Sequence, residues 1–341
     1  MKQQQLTHFG GKPVLETTIE NRNGIRLKAL NYGCVITEIL LPDRNGKLEN
    51  VVLHYDDTAS YKENPGYLGA IIGRTAGRIK EGRFALADGP YQVAINDGNN
   101  SLHGGHCGFS HQFWEVNVHH EKDAEVMTFH YHSPAGEEGY PGNMSVQVSY
   151  TLTAANTLTM EYRATSDADT PCNLTNHTYF NLSGNGKRDI SQQHLTLSSS
   201  SFLEVNDESL PTGEVLPVAD HSVFDFREGK ELGEVLNDLN PHIQTTHGGL
   251  DHPFLLDDNQ CQFARLYDRI SGRTMKIETT SPAVVCYSGN KLEDGSQHRN
   301  HAGICFETQH PPATYHLPQF GDPILQKGEV YQKQTSYHFS W

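Results

Sequence analysis

Glu307 stands in Gly303-Ile304-Cys305-Phe306-Glu307-Thr308-Gln309, a carboxylate inside an otherwise apolar, strand-like run. Two histidines are as conspicuous. His103 precedes a glycine pair in Leu102-His103-Gly104-Gly105, and His177 lies within Asn173-Leu174-Thr175-Asn176-His177-Thr178-Tyr179-Phe180-Asn181. A partly buried carboxylate with an imidazole beside it is the equipment of proton transfer near neutral pH. Separation along the chain does not fix their distance, and taken alone Glu307 reads equally well as a rim carboxylate or a salt-bridge partner.

Other segments offer groups that bind. Gly73-Arg74-Thr75-Ala76-Gly77-Arg78 combines two glycines with two guanidinium forks, at Arg74 and Arg78, where a pair of surface arginines on a turn is the plainer reading. Asn99-Asn100-Ser101-Leu102-His103 crowds polar side chains into a loop, and a solvated turn histidine is an equal alternative. If 173–181 is one extended strand, Asn173, Thr175, His177, Tyr179 and Asn181 share a face, as a hydroxyl-rich ligand would require or as an exposed sheet face would allow. Gly248-Gly249-Leu250-Asp251-His252-Pro253 supplies a loop carboxylate that caps a turn or accepts hydroxyls. The histidine pairs 103/106, 130/132 and 298/301 lack a helical HExxH or a cysteine partner, so no metal site is expected. The phosphate-loop ending, the GxSxG elbow and the dinucleotide fingerprint are all missing from the sequence.

The elements that must position these groups read as strands. Asn23-Gly24, Asn45-Gly46 and Asp88-Gly89 each separate two apolar runs, as tight hairpins require. Val126–His132, Val146–Thr153, Leu158–Ala164, Gln193–Leu197, Phe263–Tyr267, Thr274–Thr279, Val284–Ser288, Ile304–Thr308 and Tyr331–Phe339 continue the pattern. Helical periodicity is confined to Glu231–Leu239 and Asp57–Tyr61. Many antiparallel strands with few short helices and long Gly/Pro-rich loops predict an all-β fold, a large antiparallel β-sandwich. With no linker and no repeat, residues 1–341 are expected to form a single domain.

Composition bounds the partners. Lysine and arginine number 26 against 41 acidic residues, a net charge of −15, which opposes nucleic acid or an anionic membrane as a general partner. The six cysteines, at 34, 107, 172, 261, 286 and 305, form no CxxC and read as reduced thiols. Met1-Lys2-Gln3-Gln4-Gln5 is not a signal sequence and no apolar run is long enough to span a bilayer, so a cytoplasmic location is expected.

Taken in order, GRTAGRI at 73–79, NSLHGG at 100–105, GEEGYPG at 136–142, NLTNHTYFNL at 173–182, PTGE at 211–214, GLDHPF at 249–254 and CFETQ at 305–309 resemble the aldose 1-epimerase (galactose mutarotase) family, from about Tyr32 to the carboxyl end. The resemblance implies the family's supersandwich and an isomerase that interconverts α and β anomers of free hexoses such as galactose and glucose. It also implies catalysis without a cofactor or metal, by a monomer or homodimer. Glu307 matches the catalytic base and His177 the catalytic acid, while His103, Arg78 and Asp251 match the sugar-holding residues, with Arg74 and Asn100 beside them as further candidates. Two departures bear on sugar preference: Gly77 where the family often has Asn, and Ser281 where some members have a sugar-contacting Gln. A non-catalytic carbohydrate-binding protein on the same fold, a hexose-phosphate mutarotase and a metal-dependent lyase or hydrolase are the alternatives.

Overall fold

The computed structural model describes residues 2–257, 262–294, 298–321 and 323–341. Antiparallel sheets account for most of it. A meander runs Lys2–Phe9, Lys12–Glu20, Arg26–Leu30, Ile36–Pro42 and Leu48–Asn50. Nine strands form the largest sheet, in the order Glu115–Glu121, Ala124–Ser133, Met144–Thr153, Thr157–Ser166, Val330–Ser340, Thr274–Thr279, Gln262–Asp268, Gln193–Leu197 and Lys230–Glu231. Six more pair as Tyr179–Phe180, Ile304–Gln309, Ala283–Tyr287, Asp251–Leu255, Ser201–Val205 and Pro211–Pro217. The last strand of the chain, Val330–Ser340, sits between Thr157–Ser166 and Thr274–Thr279, so it joins the two halves of the large sheet.

Alternation creates the layers. Met144–Thr153 buries every second side chain, as a strand with one face on a core must. Met127, Phe129, Val148, Tyr150, Met160 and Tyr337 of the nine-stranded sheet pack in one cluster with Val284, Cys286, Ile304 and Phe306 of the six-stranded sheet. The sandwich expected from the strand pattern is therefore observed. Ile304 and Phe306 face this core, which leaves Cys305, Glu307 and Gln309 on the opposite face of their strand.

Several expectations are corrected. Residues 173–181 are not one strand: Thr175–Asn176 pairs with Ile71–Ile72, and Tyr179–Phe180 with the Ile304–Gln309 strand. His177 lies at the step between them, its backbone bonded to Ala70 and Gly69, and all nine residues are buried. The alternating polar residues there are buried, with Asn173, Tyr179 and Asn181 hydrogen-bonded to backbone carbonyls, and do not form an exposed face. Glu231–Leu239 forms no helix but a short 3-10 turn, Leu232–Glu234, with a capping box between Glu231 and Glu234. Asp57 does cap a 3-10 turn, Thr58–Lys62. The loop expected around Asp251 is a strand whose first residue is Asp251 itself. Among the described residues no helix is long and apolar enough to cross a membrane. Cys34, Cys172, Cys286 and Cys305 are buried free thiols and Cys107 is exposed; Cys261 lies outside the described residues.

Candidate active site

A cavity of about 310 Å³ opens on the outward face of the six-stranded sheet. His177, Glu307, His103, Arg78 and Asp251 all line it. Register explains the convergence: Asp251 pairs with Tyr287 and Val285 pairs with Glu307, so three adjacent strands point these side chains to one side.

His177 Nε2 lies 3.5 Å from Glu307 Oε1, with both side chains 5% exposed. Rings of Tyr67, His103, Tyr179 and Tyr287 stand 5.0 to 6.0 Å from the imidazole by centroid and enclose it. Enclosure disfavours charge. Burial, with Asp251 adding to it and Arg78 opposing, pushes the Glu307 carboxyl up to about 8. Burial likewise pushes the His177 imidazole down to about 4. Both shifts favour the pair holding one proton at neutral pH, on the carboxyl. The sequence suggested a carboxylate base and an imidazolium acid; desolvation places the same proton on the other partner.

His103 is locked rather than mobile. Its backbone N–H donates to the Gly77 carbonyl at 3.0 Å, and its Nδ1 accepts from the Gly77 N–H at 3.2 Å. That bond leaves the proton on Nε2, a donor turned to the cavity. Gly104 follows because a Cβ there would stand 1.9 Å from the Gly73 carbonyl oxygen. Donor atoms of His103, His177 and Glu307 lie within 4.8 Å of one another, a set of types that binds metal ions. For His103 to join such a site it would have to present a lone pair on Nε2 and surrender the acceptor role at Nδ1.

Arg78 Nε donates to Asp97 Oδ2 at 2.7 Å, which aims the guanidinium along the cavity wall. Asp251 is held in its neutral direction first by burial, against the pull of Arg78 and Lys291. Asp97, Tyr67, Tyr287, Lys291, His247 and Gln309 also line the cavity and escaped sequence reading. Only Gln309 carried a signal, as the second polar residue on the Glu307 face of the same strand.

Two expected binding residues do not reach the cavity lining. The buried Arg74 guanidinium donates to Ser133 Oγ and to the carbonyls of Ser133, Pro134 and Pro141, with Thr170 Oγ1 as a further acceptor. It ties loops together. Asn100 is buried too, and its Oδ1 accepts the Glu81 N–H, shaping the loop that carries Asp97. Of the two departures, Gly77 lines the cavity and Ser281 is not among its lining residues.

The fold and the cavity define a large β-sandwich with a buried acid–base pair in a polar cavity on one sheet face, and comparison with known proteins gives the family. Residues 16–338 match the family model described as Aldose 1-epimerase, and the chain belongs to that family. It is 38% identical to galactose mutarotase of Bos taurus over 345 residues, covering 97% of each chain. It is 31% identical to aldose 1-epimerase of Escherichia coli K12, covering 96% of each. The crystal structure of galactose 1-epimerase from Lactobacillus acidophilus superposes with a TM-score of 0.90 at 30% identity, covering 99% of this chain and 98% of that one.

Proposed function

We propose that this protein is an aldose 1-epimerase, an isomerase that interconverts the α and β anomers of free hexoses such as galactose and glucose. The observation that carries the reading is the His177–Glu307 contact on the wall of a cavity whose other polar groups suit hydroxyls. Family membership and the galactose mutarotases among its relatives support the substrate class.

Mutarotation needs the proton of the C1 hydroxyl removed and the ring oxygen protonated, after which the C1–O5 bond breaks. Rotation about C1–C2 turns the other aldehyde face, and the reverse transfers close the ring. Glu307 takes the C1 proton as a carboxylate and His177 delivers one to O5 as an imidazolium. The resting pair and this reactive pair contain the same single proton. Hydroxyl donation to Glu307 on sugar binding favours its ionised form, so substrate itself draws the proton across to His177. After ring opening the proton stands on Glu307 and His177 is neutral, the arrangement that burial of the two side chains favours. The electrostatic preference of the site thus matches the open-chain stage, and each acid–base group contributes roughly 10²–10⁴-fold.

His103 Nε2–H, the Arg78 guanidinium and Asp251 hold ring hydroxyls, while Tyr67 and Tyr287 supply apolar faces. Residues 1–341 are taken as one domain, a reading supported by the central position of the last strand. The four buried free thiols support a reducing, cytoplasmic setting. Polarimetry on freshly dissolved α-galactose and α-glucose tests the function: purified protein should speed the optical change over buffer, and an unchanged rate for both sugars refutes it.

A further inference from the structure

Gln309 has no role in the chemistry above, yet it lines the same cavity two residues beyond Glu307 on the same strand face. It is 1% exposed, and among the described residues neither its Nε2 nor its Oε1 has a hydrogen-bond partner. A buried primary amide left with both ends open is unusual, because its desolvation goes uncompensated. The space in front of it is kept clear by backbone. Gly77 has φ +72°, and a Cβ there would stand 2.5 Å from Pro312 Cβ and 3.4 Å from Gln309 Nε2. Any side chain at 77 would crowd Pro312 and the approach to the amide. Pro312 follows the end of the Gln309 strand and also lines the cavity.

We infer that Gln309 is a sugar-binding, specificity-determining residue whose amide donates to and accepts from hydroxyls of the bound aldose across the gap left by Gly77. The inference rests on the mutarotase reading. An amide is suited to the task, since a hydroxyl is both donor and acceptor and a carboxamide answers both without adding charge next to Glu307. A sugar hydroxyl at Gln309 also fixes the ring relative to Glu307, only two residues away. Configuration at the contacted carbon is then sensed by whether its hydroxyl reaches the amide. A site that hydrogen-bonds a hydroxyl discriminates against analogues lacking it, because its own polar atoms are then left unpaired.

The test is a substitution crossed with substrate deoxygenation. Mutarotation rates of galactose and its 2-, 3-, 4- and 6-deoxy derivatives are measured for the intact protein and for Gln309→Met, which keeps length and loses the amide. The expected result is a KM for galactose raised by about 10-fold, with kcat changed much less. For at least one deoxy sugar the two proteins should give the same KM, since the group that Gln309 contacts is already gone. A KM increase of equal size for every sugar, or none for any, overturns the inference while leaving the enzyme's activity established. No activity in the intact protein would instead refute the mutarotase reading. If Gln309→Met does not fold, the side-chain amide resonances of Gln309 in the unaltered protein decide. They should shift on saturation with galactose and stay unmoved with at least one of the four deoxy sugars; resonances unmoved by galactose, or shifted equally by every sugar, overturn the inference.

Discussion

His177 Nε2 and Glu307 Oε1 are 3.5 Å apart inside a cavity that disfavours charge on either, so the two residues share one proton as a unit. Neither apparent pKa belongs to one side chain alone in catalysis, because the reactive and resting arrangements differ only in where that proton sits.

The pH profile of kcat/KM, which reports the free enzyme, follows from this. Below about 4 the pair gains a second proton and Glu307 cannot act as a base; above about 8 it loses its only proton. A broad plateau with limbs near those values is expected. A single limb near pH 6.5, the ordinary histidine value, would show that burial does not govern the pair.

Stability should carry the same signature with a definite sign. Burial raises the Glu307 carboxyl from an ordinary 4.5 to about 8, so between these pH values the folded state binds the proton that the unfolded state has released. The Glu307 contribution to stability therefore falls as pH rises through that window and levels off above it, while His177, pushed down from 6.5 to about 4, contributes the opposite slope between those values, so the Glu307 part is read as a difference between parent and variant. Glu307→Gln has no proton to lose. Relative to the parent it should gain on the order of 3 kcal/mol at pH 7 and little below pH 4.5. Urea unfolding of both proteins at pH 4 and pH 7 measures the difference, and a pH-independent difference contradicts the assignment.

Asp97 should behave as a positioning residue. Asp97→Ala releases Arg78 from its 2.7 Å bond without touching Glu307 or His177. The pair is partly solvated, so a loss of about 1 kcal/mol is expected, read as a roughly fivefold rise in KM at nearly constant kcat. An equal fall in kcat would place Arg78 in the chemical step.

Arg74 should separate stability from catalysis. Arg74→Met removes the donor for three carbonyls and two hydroxyls and leaves the buried ones without it. A destabilisation of about 3 kcal/mol or more is expected in chemical denaturation. Folded variant protein should retain a sugar KM close to the parent value, and a large KM change would return Arg74 to the binding site.

The sandwich was legible because hairpin signals such as Asn23-Gly24 and alternation such as Met144–Thr153 are local properties. Glu307 was legible for a related reason: a carboxylate on a strand whose other face carries Ile304 and Phe306 has few explanations. What stayed hidden depends on contacts between distant segments. Arg74 and Arg78 are four residues apart with the same chemistry, and only the loops at 133–141 and 97 separate a structural guanidinium from a site guanidinium. Asp97 and Tyr67 sit in loops whose sequence has no chemical signature. The protonation state of the dyad was hidden too, since burial and pairing oppose each other and only the enclosing rings of Tyr67, Tyr179 and Tyr287 decide between them.

The most direct measurement is the exchange rate between α- and β-galactose, followed by polarimetry, in the parent protein and in Glu307→Gln at pH 7. The expected result is acceleration by the parent, and a kcat lower by roughly 10²–10⁴-fold in the variant, with galactose affinity retained. Undiminished anomer exchange in Glu307→Gln would contradict the one-proton dyad as the source of catalysis.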